Sequence, residues 1–164
     1  MKKAILIIFL GVAMVKNIAA QDYKTGIGIR LGYSTGITVK QSLKSNNYIE
    51  GILATSWGNG FLVTGLYEWQ NPLPTKNLSW YLGVGGHLGF SNYYENNNIL
   101  NLNNNSKRYN NYGVIGIDGI IGLEYVFDAA PFGLSLDWKP NINLVGNSRF
   151  VGAEIALSAR YLIK

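Results

Sequence analysis

Apolar residues alternate with small or polar ones along most of this chain. Four segments, 27–33, 115–127, 132–138 and 153–163, carry an apolar residue at every second position, with Gly119 standing in one of these places. Because successive side chains of a strand point to opposite faces, a period of two predicts β-strands with one apolar face. Charged residues recur on the other face, and the segments reach about ten residues, as in the strands of a transmembrane β-barrel. A soluble β-sandwich also alternates, but it turns its apolar face inward.

Turn-forming residues divide the chain into eight predicted strands. The strongest hairpin signal is Gly58-Asn59-Gly60, because Asn and Gly accept the positive φ of tight hairpins. Asn71-Pro72-Leu73-Pro74 should interrupt the sheet, since proline cannot donate to a ladder. Asp118-Gly119 resembles a turn, which would split a strand, but the apolar register continues across it and we place it inside strand six. The predicted strands are 24–33, 37–43, 48–57, 61–70, 78–93, 112–127, 132–143 and 151–163.

The connections between these strands fall into two sets. Because eight is even, both chain ends lie on one side, which we expect to be the periplasmic side. The turns 44–47, 71–77 and 128–131 then face the periplasm, and the loops 34–36, 58–60, 94–111 and 144–150 face outward. Aromatic residues cluster near both sets of strand ends, which is typical of membrane-interface belts.

The asparagine-rich segment 94–111 is the one long outward loop. Such a tract cannot bury apolar surface. The candidate surface contacts combine aromatic and basic groups near lipopolysaccharide, and they are Tyr93, Tyr94, Lys107, Arg108 and Tyr109. The alternative interpretation is that these residues are interface anchors and a solvated loop tip.

Residues 1–20 have the pattern of a cleaved signal peptide. Lys2 and Lys3 precede an apolar stretch of twelve residues, 4–15, and Ile18-Ala19-Ala20 offers small residues before a cut at Gln21. Twelve residues fall short of the roughly 20 that span a bilayer as a helix. We therefore expect residues 21–164 to form one outer-membrane barrel domain.

Removing that segment changes the charge of the chain. Without its three lysines, 11 basic residues face 9 acidic ones, a net charge of +2 instead of +5. The basic character therefore does not indicate a nucleic-acid partner. The absence of cysteine excludes disulfides and thiolate metal sites.

The inward face of the predicted barrel collects charges of both signs. The interior of an eight-stranded barrel is just wide enough to be filled by side chains, and ionised groups there must pair. We therefore expect a structural ion-pair lattice, with a polar path for ions or a small solute as the alternative. The predicted lumen charge network is Arg30, Lys40, Glu50, Glu68, His87, Asp118, Glu124, Asp137, Lys139, Glu154 and Arg160.

The sequence offers little for catalysis. Ester hydrolysis needs a nucleophile with a base in hydrogen-bond reach, and the one histidine, His87, points inward with Gly85 and Gly89 beside it on its face. Glu68 and Glu124 on neighbouring strands remain possible partners across the sheet. Glycine pairs such as Gly26-x-Gly28 are not followed by the helix that a phosphate loop needs. We expect no metal site and no cofactor.

With the strands in place, the chain resembles small eight-stranded outer-membrane proteins of the OmpX and opacity-protein type, in the short form common in Bacteroidota-like bacteria. The resemblance lies in Gly28-Ile29-Arg30-Leu31-Gly32, the segments 36–40 and 49–53, and Thr64-Gly65-Leu66-Tyr67-Glu68-Trp69, and it continues through 113–126 and 132–140. It implies delivery by periplasmic chaperones and insertion by the barrel-assembly machinery. Many such families end in an aromatic residue, whereas this sequence ends in Tyr161-Leu162-Ile163-Lys164.

We therefore predict an all-β protein, an eight-stranded antiparallel up-and-down transmembrane β-barrel of a bacterial outer membrane. We expect a monomer that contacts outer-membrane lipid and lipopolysaccharide, has no catalytic activity and has a structural or surface-interaction role. Two alternatives remain open, a narrow porin-like channel for small solutes and a lipid-modifying outer-membrane enzyme.

Overall fold

The computed structural model describes residues 23–56, 60–94, 109–145 and 150–163. These residues form a closed barrel of eight strands in which each strand pairs antiparallel with its sequence neighbours and β1 pairs with β8. The predicted eight-stranded antiparallel barrel is thus confirmed. The strands are β1 (Thr25–Gly32), β2 (Ser34–Lys44), β3 (Asn47–Ser56), β4 (Gly60–Pro72), β5 (Leu78–Tyr94), β6 (Tyr109–Val126), β7 (Phe132–Val145) and β8 (Phe150–Ile163). The predicted signal peptide, 1–20, lies outside the described residues.

The part of the chain that the structure describes holds no helix long and apolar enough to cross a membrane.

The first and last strands close the barrel along a continuous ladder from Thr25↔Ile163 to Gly32↔Ala156. Gly28 allows the close approach of these two strands. A Cβ built on it would lie 1.9 Å from the carbonyl oxygen of Ala159, a distance that no side chain could accept. A strand position where another backbone comes this near requires glycine.

The two ends of the barrel differ. The connections 45–46, 73–77 and 127–131 lie at the end where Tyr23 and Ile163 are found, which we call the turn end. The opposite end, the loop end, carries Tyr33, Tyr94 and Tyr109. The even strand number puts the described chain termini together, as the sequence predicted.

The predicted turn 34–36 is wrong, because β2 already begins at Ser34 and Tyr33 alone separates it from β1. Pairing with β1 stops at Arg30↔Gly36, but β2 continues beside β3 through Ser34↔Ser56. Hydrogen bonding to β3 therefore extends β2 through 34–36, although the residues there are typical of turns.

The predicted break at Asn71-Pro72-Leu73-Pro74 is present but begins two residues later, at Leu73, since β4 runs to Pro72, which faces Ser79 across the β4–β5 ladder. Alternate residues of a strand point their N–H groups the same way, and Gln70 N donates to Asn46 O at 2.8 Å. Pro72 lies two residues past Gln70, so its nitrogen points past Asn46 and beyond the start of β3, where the ladder needs no donor.

The hairpin of β5 and β6 is longer than predicted, and the loop 94–111 is correspondingly shorter. Pairing continues to Tyr94↔Tyr109 and includes Asn110 and Asn111. Asparagine can join the ladder because the hydrogen bonds between strands are made by backbone groups. The loop 144–150 shortens as well, with β7 ending at Val145 and β8 beginning at Phe150. Asp118-Gly119 lies inside β6 as predicted, so the alternative split is wrong.

The two faces of the sheet have opposite character. The outside carries a continuous apolar surface; Ile155, for example, is 62% exposed and Leu88 is 56% exposed. The inside is polar and ionic, with Arg30, Lys40 and Glu124 fully buried. This is the reverse of a soluble β-sandwich.

Candidate functional site

The structure places all eleven residues of the predicted lumen network inside the barrel, each at most 4% exposed. Each occupies an inward position of its strand, where every second side chain points to the lumen. They lie in a turn-end cluster, a central pair and a loop-end cluster.

The turn-end cluster joins two cations to three carboxylates. The Lys40 ammonium lies 2.8 Å from Glu68 and 3.6 Å from Glu124. The Arg160 guanidinium lies 2.5 Å from Glu50 and 3.4 Å from Glu124. Because Glu124 contacts both cations, the five residues form one connected network that links β2, β3, β4, β6 and β8.

Uncharged groups complete the coordination of these carboxylates. Tyr23 donates to Glu124 at 3.1 Å, and the Gln70 amide donates to the same carboxylate at 2.7 Å. Thr38 donates to Glu50. Sequence reasoning did not single out Tyr23 or Gln70, although Gln70 stands two residues after Glu68 and therefore shares its inward face.

Glycines make room for Arg160 beside its own strand. Its ladder partners are Gly28 on β1 and Gly133 on β7, neither of which has a side chain. The guanidinium instead reaches across the lumen to β3 and β6, where its carboxylate partners stand.

The central pair consists of Arg30 and Asp137. The guanidinium donates two parallel hydrogen bonds to the carboxylate, at 2.8 and 2.6 Å, the bidentate geometry that makes such pairs strong. Tyr81 donates a further hydrogen bond to Asp137 at 3.1 Å. The Lys40 ammonium lies 4.1 Å from the centroid of the Tyr81 ring, a cation–π contact. Tyr81 thus connects the central pair to the turn-end cluster.

The loop-end cluster is built around Lys139. Its ammonium lies 3.0 Å from Asp118 and 3.2 Å from Glu154. Ser34 donates to Glu154, so β2 is tied to β8 at this end. Ser34 falls in the segment predicted to be a turn, and sequence reasoning therefore missed it.

His87 belongs to the loop-end cluster. Its Nδ1 lies 2.8 Å from Asp118, and its Nε2 lies 2.9 Å from the side-chain oxygen of Asn143. Neither partner is a hydroxyl or thiol of the kind that a histidine base activates, and within the described ranges no three metal-ligating residues converge on one point. The contacts of His87 tie β5 to β6 and β7.

An apolar cluster lies inside the lumen as well, formed by Ile52, Ala54, Leu66, Tyr81 and Ile120, all at most 4% exposed. On β6, Ile120 stands between the inward residue of the loop-end cluster, Asp118, and that of the turn-end cluster, Glu124. Sequence reasoning placed Tyr81 on the inward face but overlooked the four aliphatic residues, although their alternation is the same.

Three of the candidate surface contacts lie at the loop end. Tyr93, Tyr94 and Tyr109 occupy the paired ends of β5 and β6. Lys107 and Arg108 lie outside the described residues.

The fold has a solved counterpart. The chain superimposes on the crystal structure of the N-terminal β-barrel domain of Pseudomonas aeruginosa OprF with a TM-score of 0.62 and 12% identity, over 85% of this chain and 95% of that one. No protein-family model and no curated protein matches the sequence.

Proposed function

We propose that this chain is a non-catalytic β-barrel of a bacterial outer membrane, with a lumen closed by side chains and a structural or surface-contact role. The observation that carries the proposal is the inverted distribution of polarity, with an apolar outer wall around an ionic interior. Only a closed barrel lets strands cross a bilayer with every backbone group paired. The likeness to an outer-membrane protein domain supports the same placement.

The extent of the outer apolar surface favours a lipid environment. Soluble monomers rarely expose contiguous apolar patches of more than a few hundred Å², whereas here each of the eight strands contributes exposed aliphatic or aromatic residues. Exposed aromatic side chains also border this surface at both ends, as interface belts do. They are Trp69, Tyr125, Phe127, Phe132 and Tyr161 at the turn end, and Tyr33, Phe61 and Phe90 at the loop end.

Tryptophan fluorescence tests the membrane placement. The mature chain refolded into phosphatidylcholine vesicles should show quenching of Trp69 and Trp138, which are 42% and 43% exposed on the outer wall, by brominated acyl chains. The same sample should migrate faster in cold SDS than after boiling, because a closed barrel resists unfolding. Equal migration together with an absence of quenching would contradict the proposal.

The filled lumen favours a structural role over the porin-like alternative. Within each charged cluster, cations and carboxylates are in direct contact. The central Arg30–Asp137 pair and an apolar patch that includes Ile120 fill the lumen between the two ends. Continuous water would need this filling to open. Planar-bilayer recordings should therefore show no discrete conductance steps, and regular steps would favour the channel.

The contacts of His87 argue against the second alternative, a lipid-modifying enzyme. Both ring nitrogens face side-chain oxygens inside the barrel, away from lipid on the outer wall. The variant His87→Ala should leave envelope-lipid composition unchanged, as judged by mass spectrometry of extracted lipids. A lost modification would support an enzyme.

Surface contact is the second part of the proposal. The hairpin of β5 and β6 continues to Tyr94↔Tyr109, while the pairing of β4 with β5 ends at Gly60↔Ser91. The tyrosines thus stand beyond the neighbouring strand, where aromatic and basic groups would meet lipopolysaccharide. Deleting residues 96–106 should reduce cell adhesion or serum resistance without changing the heat-dependent gel shift. Unchanged adhesion and resistance would remove the contact role.

We also propose, from the eight strands and short turns, membership in the OmpX and opacity-protein type. Delivery by periplasmic chaperones and insertion by the barrel-assembly machinery belong to the same proposal. Depleting that machinery in cells should leave the chain outside the membrane fraction, whereas unchanged assembly would contradict this route.

A further inference from the structure

A groove of about 590 Å³ runs over the outer wall of strands β2 to β5. Its floor includes two outward glycines that face each other in the sheet, Gly51 and Gly65, and Gly65 in turn faces Gly86 of β5. Side chains added to the first two would meet no atom within 4 Å. The groove is therefore open space that no neighbouring group fills.

The walls of the groove are mainly apolar. Val39, Ile49 and Val84 line it, and Val39 and Val84 are 40% and 56% exposed. Association inside a membrane gains nothing from leaving water, so it depends on close packing. A narrow apolar channel with a glycine floor offers that packing to a flexible chain, which can follow its shape.

Two polar residues, Gln41 and Tyr67, line the groove on the side nearer the turn end of the barrel. They share this row of the sheet with the apolar Ile49 and Val84. Thr25 donates to the Gln41 side-chain oxygen at 3.3 Å. Beyond Gln41 follow two exposed lysines, Lys44 at the end of β2 and Lys24, whose carbonyl accepts from Ser42 of that strand.

We propose that this groove binds one anionic glycerophospholipid, with an acyl chain on Gly51, Gly65 and Gly86 and the phosphate near Lys24 and Lys44. The inference rests on the proposed membrane location. The positions of charge fit such a lipid, because the glycines and apolar walls would contact the acyl chain, while two exposed lysines lie beyond Gln41 toward the turn end. A second copy fits less well, because two convex barrel walls would leave the floor of a narrow groove uncovered.

Native mass spectrometry tests the site on the mature barrel, extracted in mild detergent from vesicles of equal phosphatidylglycerol and phosphatidylcholine. Wild type should retain one phosphatidylglycerol. Gly65→Leu should lose it, because the new side chain occupies the floor. Gly113→Leu is the matched control, an outward glycine on β6 whose added Cβ also meets nothing within 4 Å, and it should retain the lipid. Gly51→Leu replaces Gly65→Leu if that variant does not fold.

The lysines are tested separately. Lys24→Gln and Lys44→Gln should each reduce the preference for phosphatidylglycerol over phosphatidylcholine about fivefold, the effect of one basic residue near an anionic surface. An unchanged preference in the double variant would overturn the assignment of the headgroup.

Several outcomes would overturn the proposal. They are equal retention by Gly65→Leu and Gly113→Leu, no retained lipid in wild type, and a wild-type dimer without lipid that Gly65→Leu converts to a monomer. The last result would assign the groove to a second copy. The heat-dependent gel shift and quenching by brominated lipid, measured on the same samples, show whether the membrane placement itself has failed, in which case the lipid site fails with it.

Discussion

Replacing Arg160 with methionine removes the cation on which the turn-end cluster depends while keeping most of its apolar length. The guanidinium is 1% exposed and lies 2.5 Å from Glu50 and 3.4 Å from Glu124, and it donates to Ser135 at 2.8 Å. Removing one partner of a buried ion pair leaves an uncompensated charge and costs about 3–5 kcal/mol. Lys40 still neutralises part of the negative charge, so we expect the lower end of that range.

Equilibrium unfolding in urea, followed by tryptophan fluorescence of the barrel in phosphatidylcholine vesicles, measures this loss. Arg160→Met should lower the free energy of unfolding by about 3 kcal/mol. Lys76→Met is the matched control, because Lys76 pairs with Asp128 at 2.7 Å with both side chains exposed, and exposed pairs contribute little. A wild-type midpoint for Arg160→Met would refute the view that the lumen charges stabilise the barrel as a network.

A second variant shows how much of the loss comes from the missing ion-pair attraction and how much from the buried Glu50 carboxylate that is left without its partner. Adding Glu50→Gln to Arg160→Met removes the carboxylate that the arginine leaves behind. If the stranded charge causes most of the loss, the double variant should recover part of the stability, giving a favourable interaction energy of about 1–3 kcal/mol in the cycle. Simple additivity would mean that the two groups act independently.

Three further results are expected in the same unfolding assay. Gly28→Ala should destabilise the barrel by about 1–3 kcal/mol or prevent closure, because its Cβ would meet backbone, whereas Gly51→Ala should not, since its Cβ meets nothing within 4 Å. Tyr81→Phe should cost about 1.5–3 kcal/mol, because it removes a 3.1 Å hydrogen bond to a buried carboxylate. The hydrogen bond from Lys76 lowers the pKa of Asp128, so its small stabilising effect should be present at neutral pH. That effect should disappear as the pH falls below the ordinary aspartate pKa of about 3.9. The variant Asp128→Asn should lack this loss of stability at acid pH. The same loss in wild type and Asp128→Asn would contradict the assignment.

The alternation of the sequence was sufficient to predict which side chains face the lumen. Arg160, Glu50 and Glu124 could be assigned inward because each shares the parity of its strand. Their pairing could not be predicted, since Arg160 and Glu50 stand 110 residues apart and on strands that are not neighbours. The ladder of Arg160 leads to Gly28 and Gly133, whereas its ion partners lie across the barrel.

Strand ends were predicted less well than strands. Ser34 is typical of turns, yet it belongs to a strand because β3 pairs with it. Pro72 usually breaks sheets, yet it belongs to a strand because no neighbouring carbonyl needs its missing N–H group. Local composition reports the preference of a residue, whereas the length of a strand in a closed sheet depends also on its neighbours.

The sequence alone therefore determined the number of strands, the antiparallel barrel and the polarity of each face, because these follow from a period of two and an even count of segments. The tertiary structure decided which lumen charges meet, where an apolar patch lies among them, and that Gly51 and Gly65 stand side by side in a groove. The physical reason is that such contacts depend on the register and tilt of the closed sheet. Neither can be obtained from any single strand, because each is fixed only when all eight pair.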